Sequence, residues 1–326
     1  MAIDFSKPTF AYPDLDAAID KNPLVVSPDT QLTQAIALMG NRRVSCSLDE
    51  NLELGATSSI ASRSGCVLVM DGDRLMGIFT ERDIVKLTAR EQIFGDLTVA
   101  EVMTQPVITL QKENFQDIFA VLFLFRRYQI RHLPIVDRDN RPIGVVSPET
   151  IRQAMKPANL LKLRRVGEVM SKQVVHACLD TTVLDIARMM AQQQLSCVVI
   201  AQADTEEEIL IPVGIITERD ILQFKFLQLD LSRLKASLVM STPLFLLSPE
   251  DSLLAAHQEM QRRRVRRMVV SWNWGQGLGI VTQTSILRIF DPMEMYGVIE
   301  TLQSTVRQLE REKAELSTLL EKRQLE

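Results

Sequence analysis

Four stretches of the chain close on one pattern, and that repetition limits the fold more than any other feature. They read Gly77-Ile-Phe-Thr80-Glu-Arg-Asp83, Gly144-Val-Val-Ser147-Pro-Glu-Thr150, Gly214-Ile-Ile-Thr217-Glu-Arg-Asp220 and Gly279-Ile-Val-Thr282-Gln-Thr-Ser285. Their glycines lie 67, 70 and 65 residues apart. Three units share an opening as well: Glu101-Val-Met103, Glu168-Val-Met170 and Leu238-Val-Met240. A turn and an apolar run follow, as in Pro106-Val-Ile and Pro243-Leu-Phe. Two landmarks in register mean that the 326 residues fold as four copies of one small unit rather than around one large core.

Within a unit the pattern predicts a short strand, a helix, two strands and a second helix. In unit two, Val107–Thr109 reads as the short strand, and Phe115, Ile118, Phe119, Leu122 and Phe123 have helical spacing. Leu133-Pro-Ile-Val136 is a buried strand, Asp137–Asn140 a turn and Ile143–Val146 the return strand. Thr80 and Ser147 then stand where a strand enters a helix, as N-caps. Unit one carries about 16 extra residues around 45–64, a Ser-rich loop, and unit three an acidic excursion at Asp204-Thr-Glu-Glu-Glu208.

Hydrophobic residues make up 46 % and aromatics only 5 %, so the core is aliphatic with the 14 Met as filler. Thirty-seven basic residues stand against 41 acidic ones, a net charge of −4. The chain as a whole therefore does not attract nucleic acid or anionic membrane, and an anion site must be local. No apolar run approaches the roughly 18 residues of a membrane helix. Cys46, Cys66, Cys178 and Cys197 form no ligand spacing and read as reduced core thiols, which together with the lack of a leader at Met1–Phe5 predicts a cytoplasmic protein.

The closing Gly-x-x-Thr-x-x-Asp, the Val-Met opening and the Arg131-His-Leu-Pro-Ile-Val-Asp137 strand resemble the CBS domain, a unit that works in tandem pairs called Bateman modules. The resemblance implies an α/β (α+β) fold of four βαββα repeats. It divides the chain into an N-terminal segment 1–21, a first module 22–155, a second module 156–290 and a C-terminal helix 291–326. It also implies adenosine nucleotides (AMP, ADP or ATP, with Mg2+ accompanying ATP) bound in the cleft between paired units.

Only units one and three carry a carboxylate, Asp83 and Asp220, that accepts from both ribose hydroxyls; Thr150 and Ser285 replace it in units two and four. Units two and four instead carry basic pairs, Arg131-His132 and Arg266-Arg267, suited to phosphate. The resemblance places each carboxylate opposite its partner's basic pair, which predicts one competent cleft per module. Thr80 and Thr217 would bond α-phosphate or ribose, and Arg82 and Arg219 would add phosphate ligands. Adenine would lie against Ile78, Val107 and Ile130 in the first cleft, and against Ile215, Leu244 and Val265 in the second. Two blander readings stay open. The aspartates could only start helices, and Arg262–Arg267 could be a nucleic-acid patch.

No nucleophile, metal or Walker motif is present, so the sequence predicts a binding protein rather than an enzyme. Beyond Pro292, Ile299, Leu302, Val306, Leu309, Lys313, Leu316 and Leu320 alternate at steps of 3 and 4, a coiled coil whose β-branched a positions and Leu d positions favour a parallel homodimer. This tail resembles linkers that join CBS modules to kinase or cyclase output domains in bacterial, notably cyanobacterial, sensors. The expected function is a regulatory sensor that passes ligand binding to an output domain or partner through this helix. A ligand-free dimerisation scaffold is the alternative.

Overall fold

The computed structural model describes residues 15–44, 65–115, 118–155, 161–162, 164–204, 209–273 and 277–290. The Ser-rich insertion, the acidic turn 205–208 and the heptad segment lie outside the described residues.

Each unit forms a three-stranded sheet in which the first strand runs parallel to the second and the second antiparallel to the third. The strands are β1 (Leu24–Val26), β2 (Cys66–Asp71) and β3 (Arg74–Thr80); β4 (Leu110–Gln111), β5 (Leu133–Val136) and β6 (Pro142–Val146); β7 (His176–Ala177), β8 (Cys197–Asp204) and β9 (Ile209–Thr217); and β10 (Leu246–Leu247), β11 (Arg267–Trp272) and β12 (Gly277–Thr282). One helix follows each first strand: α1 (Leu32–Val44), α4 (Ile118–Tyr128), α7 (Val183–Gln192) and α10 (Leu253–Arg262). A second follows each return strand: α2 (Glu81–Ala89), α5 (Pro148–Met155), α8 (Glu218–Phe226) and α11 (Gln283–Leu287). Single turns open units two, three and four: α3 (Val99–Val102), α6 (Val166–Val169) and α9 (Ala236–Val239). The predicted βαββα order holds in all four units. The short strand of unit two lies at Leu110–Gln111, paired with Ile135 and Val136, rather than at Val107–Thr109. Val107 packs instead between the sheets of units one and two.

Alternation along β2 shows why units pair. Val67 and Val69 point into unit one's own core, while Cys66 and Leu68 face unit two and pack with Ile78 and Val145. Units three and four meet in the same way through Cys197, Val199, Ile215, Val269 and Ile280. Cys178, by contrast, is exposed at the end of β7 rather than in the core, because it follows a two-residue strand whose buried member is Ala177.

The two repeated landmarks turn out to be one contact. The opening of each unit lies against the closing glycine of its partner. Met103 covers Gly77, Met240 covers Gly214 and Met170 covers Gly279, each so closely that a Cβ would fall within 2.2–2.9 Å of the sulfur. Unit one has no such methionine, and Ile19 with the Asp20 carbonyl takes that place over Gly144. Backbone bridges accompany each contact: Ile78 with Thr104, Ile215 with Ser241, Ser171 with Ile280 and Asp20 with Val145. Residues 15–20 are thus part of the first module, with Ala18 and Ile19 in its core.

The modules then join through helices. Leu222 and Phe226 of α8 pack in the core of unit one, and Val85 of α2 in that of unit three. Units two and four share one core that runs from Val121 and Ile151 to Ala256 and Ile286. Sheets join one to two and three to four; helices join one to three and two to four. The result is a closed ring of four units within one chain.

Candidate functional site

The return strands lead to Thr80, Ser147, Thr217 and Thr282, and the helices that follow begin near the middle of this ring. Each cap is built locally. The Thr80 N–H and hydroxyl both donate to Asp83 Oδ2, at 2.9 and 2.7 Å. Thr217 does the same to Asp220 Oδ2, at 2.8 and 2.8 Å. In units two and four the hydroxyls of Thr150 and Ser285 accept from the Ser147 and Thr282 N–H groups. The capping reading of the aspartates is therefore met with one oxygen only. Asp83 Oδ1 lies 3.8 Å from Lys86 Nζ. Burial raises both aspartates above the usual carboxylate range, opposed by the threonine hydrogen bonds.

The residues after these caps form crossed ion pairs between modules. Glu218 of unit three is 1 % exposed and receives Arg82 of unit one at 3.4 Å and Arg131 of unit two. Glu81 of unit one has Arg219 of unit three at 3.6 Å and Arg266 of unit four at 3.9 Å. Glu149 of α5 adds Arg152 at 2.8 Å and Arg266 at 3.6 Å. Gly65 gives Glu81 its room, since a Cβ there would stand 2.6 Å from the Glu81 carboxyl carbon. Burial and the neighbouring Arg219 bring Arg266 down to about 10. Burial, with Arg131 alongside, holds the His132 imidazole at about 3 and so neutral at neutral pH. Arg267 donates to the Ser196 carbonyl across the second module.

A cavity of about 700 Å³ opens at this junction. It brings together Ile78, Thr80, Arg82, Asp83, Ile130, Arg131 and His132 of the first predicted cleft with Arg266 and Arg267 of the second. The remaining residues predicted for the second cleft (Ile215, Thr217, Arg219, Asp220, Leu244, Val265) do not line it. Ile215 and Leu244 pack between the sheets of units three and four, and Val265 is 38 % exposed. Val107 lines a separate cavity of about 530 Å³ with Arg74, Gln105 and Pro106. Seven basic side chains line the junction (Arg82, Lys86, Arg126, Arg131, Arg266, Arg267, Arg288) against three acidic ones (Glu81, Asp83, Glu149). An acidic chain thus carries a locally cationic chamber. Leu122, Phe125 and Tyr128 of α4 supply an apolar wall.

Sequence reasoning missed Glu81, Glu218 and Glu149. The signal was present in the identical Thr-Glu-Arg-Asp at 80–83 and 217–220, whose Glu repeats alongside the Thr, Arg and Asp that were assigned. The run Arg262–Arg267 is no continuous patch. Arg262 and Arg263 pair with Glu259 on α10, whereas Arg266 and Arg267 turn into the junction.

Comparison with known proteins agrees with this architecture. The model of the CBS domain matches four times, at residues 15–90, 99–157, 166–226 and 236–291. The solved structure of protein MJ1225 from Methanocaldococcus jannaschii superposes with a TM-score of 0.65 at 19 % identity, covering 85 % of this chain and 99 % of that one. A conserved protein from Pyrococcus horikoshii does so with a TM-score of 0.53 at 15 % identity, covering 84 % and 97 %. These likenesses show the fold. Among curated sequences, protein MJ1404 of Methanocaldococcus jannaschii is 25 % identical over 48 % of this chain and 38 % of its own length. The inosine-5'-monophosphate dehydrogenase of the same organism is 30 % identical over 43 % of this chain and 23 % of its own length. The matched stretch is less than half the length of either relative. With four matches that span most of its length and four sheets of one topology, the chain belongs to the CBS-domain family.

Proposed function

We propose that the protein is a regulatory sensor that binds an adenine nucleotide (AMP, ADP or ATP, the last with Mg2+) at the junction of its four repeats. The observation that carries this reading is the chamber itself. A carboxylate with one oxygen left over from its cap, an apolar wall and a cluster of arginines stand together in about 700 Å³. Ribose hydroxyls would donate to Asp83, the base would lie along Ile78, Ile130 and Tyr128, and the phosphates would meet Arg131, Arg82 and Arg266. Asp220, with Arg219, Arg267 and Thr217, would form the counterpart site of the second module. Ile215, Leu244 and Val265 would form its base wall. No step of covalent chemistry is needed, and the protein acts by binding. A ligand that touches several units favours the arrangement in which those units are correctly spaced, by its differential affinity for it. The output is a partner or kinase or cyclase domain reached through the C-terminal segment as a homodimer.

Calorimetry with AMP, ADP and ATP tests this. The wild type binds at least one of them. Asp83→Ala combined with Asp220→Ala weakens that binding by about tenfold or more, the cost of a charged hydrogen bond to each ribose. Equal affinity in the double variant refutes the site, and no binding of any of the three by the wild type refutes the function.

A further inference from the structure

Glu218 is buried to within 1 % and does not line the chamber, yet it touches two side chains that do. Its Oε1 accepts from Arg82 Nε at 3.4 Å and its Oε2 from Arg131 Nη2. The two arginines come from units one and two, while Glu218 begins α8 of unit three. Their side chains are 27 % and 24 % exposed, so their outer faces look into the chamber while their inner faces lie on Glu218. Arg82 spends one further donor on the Gln129 carbonyl, at 3.0 Å. Burial lowers the Arg82 pKa, charge repulsion from Arg131 adds to this, and Glu218 opposes both. Without an anion behind them, two guanidinium groups this close would swing apart into solvent.

We propose that Glu218 is a positioning residue for ligand phosphate: from the second module it holds Arg82 and Arg131 of the first module side by side, so that the first cleft is complete only when the second module is docked. The reciprocal set, Glu81 with Arg219 and Arg266, has the same layout about the ring. This inference rests on the reading of the chamber as a nucleotide site and adds what sets its preference for phosphorylated ligands. Phosphate binds the arginines on the chamber side while the carboxylate stays behind them. Glu218 therefore does not compete with ligand; it prepares the site.

The test compares AMP with adenosine by calorimetry on the full chain. Glu218→Gln keeps the side-chain volume and removes the charge. Affinity for AMP should fall by roughly tenfold or more while affinity for adenosine changes by less than about twofold. Equal losses for both ligands would mean a general structural role. Unchanged or tighter AMP binding would mean that Glu218 is a bystander or a competing anion. Either result overturns the proposal while leaving the nucleotide reading intact. Should Glu218→Gln fail to fold, Glu218→Asp decides. Drawing the carboxylate back by one methylene lowers the AMP-to-adenosine ratio by about threefold or more, and an unchanged ratio overturns the proposal. If the wild type binds none of AMP, ADP, ATP and adenosine, inorganic pyrophosphate in a thermal-shift assay separates the two ideas. Stabilisation of the wild type but not of Glu218→Gln keeps the proposal and discards the nucleotide. No stabilisation of either discards both.

Discussion

His132 lines the chamber beside Arg131, and burial together with that neighbour keeps its imidazole neutral down to about pH 3. In the unfolded chain the same group takes its proton near the ordinary imidazole value of 6.5. Between these values the unfolded state binds the extra proton, so stability falls as pH drops below about 6.5, by up to about 1.4 kcal/mol per pH unit. His257, lowered by its burial and by Arg152, adds to the same trend. Urea unfolding at pH 7 and pH 5 should show a smaller loss for His132→Gln than for the wild type; equal losses would contradict this environment. Gly65 offers a second residue-scale test. Gly65→Ala pushes a methyl to 2.6 Å from the Glu81 carboxyl carbon, and with Glu81 buried the strain should cost about 1–3 kcal/mol. An unchanged unfolding midpoint would mean that Glu81 has freedom the ion pairs do not suggest. At this scale, the sequence made legible which polar residues the first candidate cleft gathers, not that they bind a ligand. Ribose chemistry asks for a carboxylate and phosphate chemistry for basic pairs, and Asp83, Arg131 and His132 do meet in one chamber. The repeated Thr-Glu-Arg-Asp marked Glu81 and Glu218 as equivalent positions, but their role was not legible, because it depends on arginines of other units, which no local spacing reveals.

Elements in this fold are short, and several have only two paired residues, as in β4, β7 and β10. They persist because each unit is clamped to its partner by the opening of the one over the return strand of the other. Gly77→Ala would drive a methyl to 2.2 Å from the Met103 sulfur and spread β3 from the opening turn of unit two. Gly214→Ala repeats that clash with Met240 in the other module. Each should cost about 1–3 kcal/mol, and Met103→Ala placed on Gly77→Ala should recover part of the loss by making room. A double variant no more stable than Gly77→Ala would deny that this contact is what the landmarks encode. The order and number of elements were legible because apolar periodicity and the repeat reinforced each other. The position of the short strand in unit two was not. Val107 and Ile108 look like strand residues because both are apolar and β-branched, but they are used between layers rather than in a ladder.

Across the whole molecule, two kinds of surface close the ring, sheet faces within modules and helix faces between them. The resemblance to CBS modules implied paired units and left the contact between modules open, since the inner face of a helix reads as apolar whichever unit it meets. Leu222 decides this point. It is fully buried in the core of unit one although it belongs to unit three. Leu222→Ala should cost about 2–5 kcal/mol and loosen the module contact, read as a lower unfolding midpoint that saturating ligand partly restores. The chamber exists only where all four units meet, so ligand, ion pairs and ring closure are one system. A crystal structure grown with AMP tests this most directly. The account predicts an adenylate at the junction with its ribose on Asp83 and its phosphate on Arg131 and Arg82. An adenylate lying beside Thr150 or Ser285, with nothing bound at Asp83 or Asp220, would contradict it.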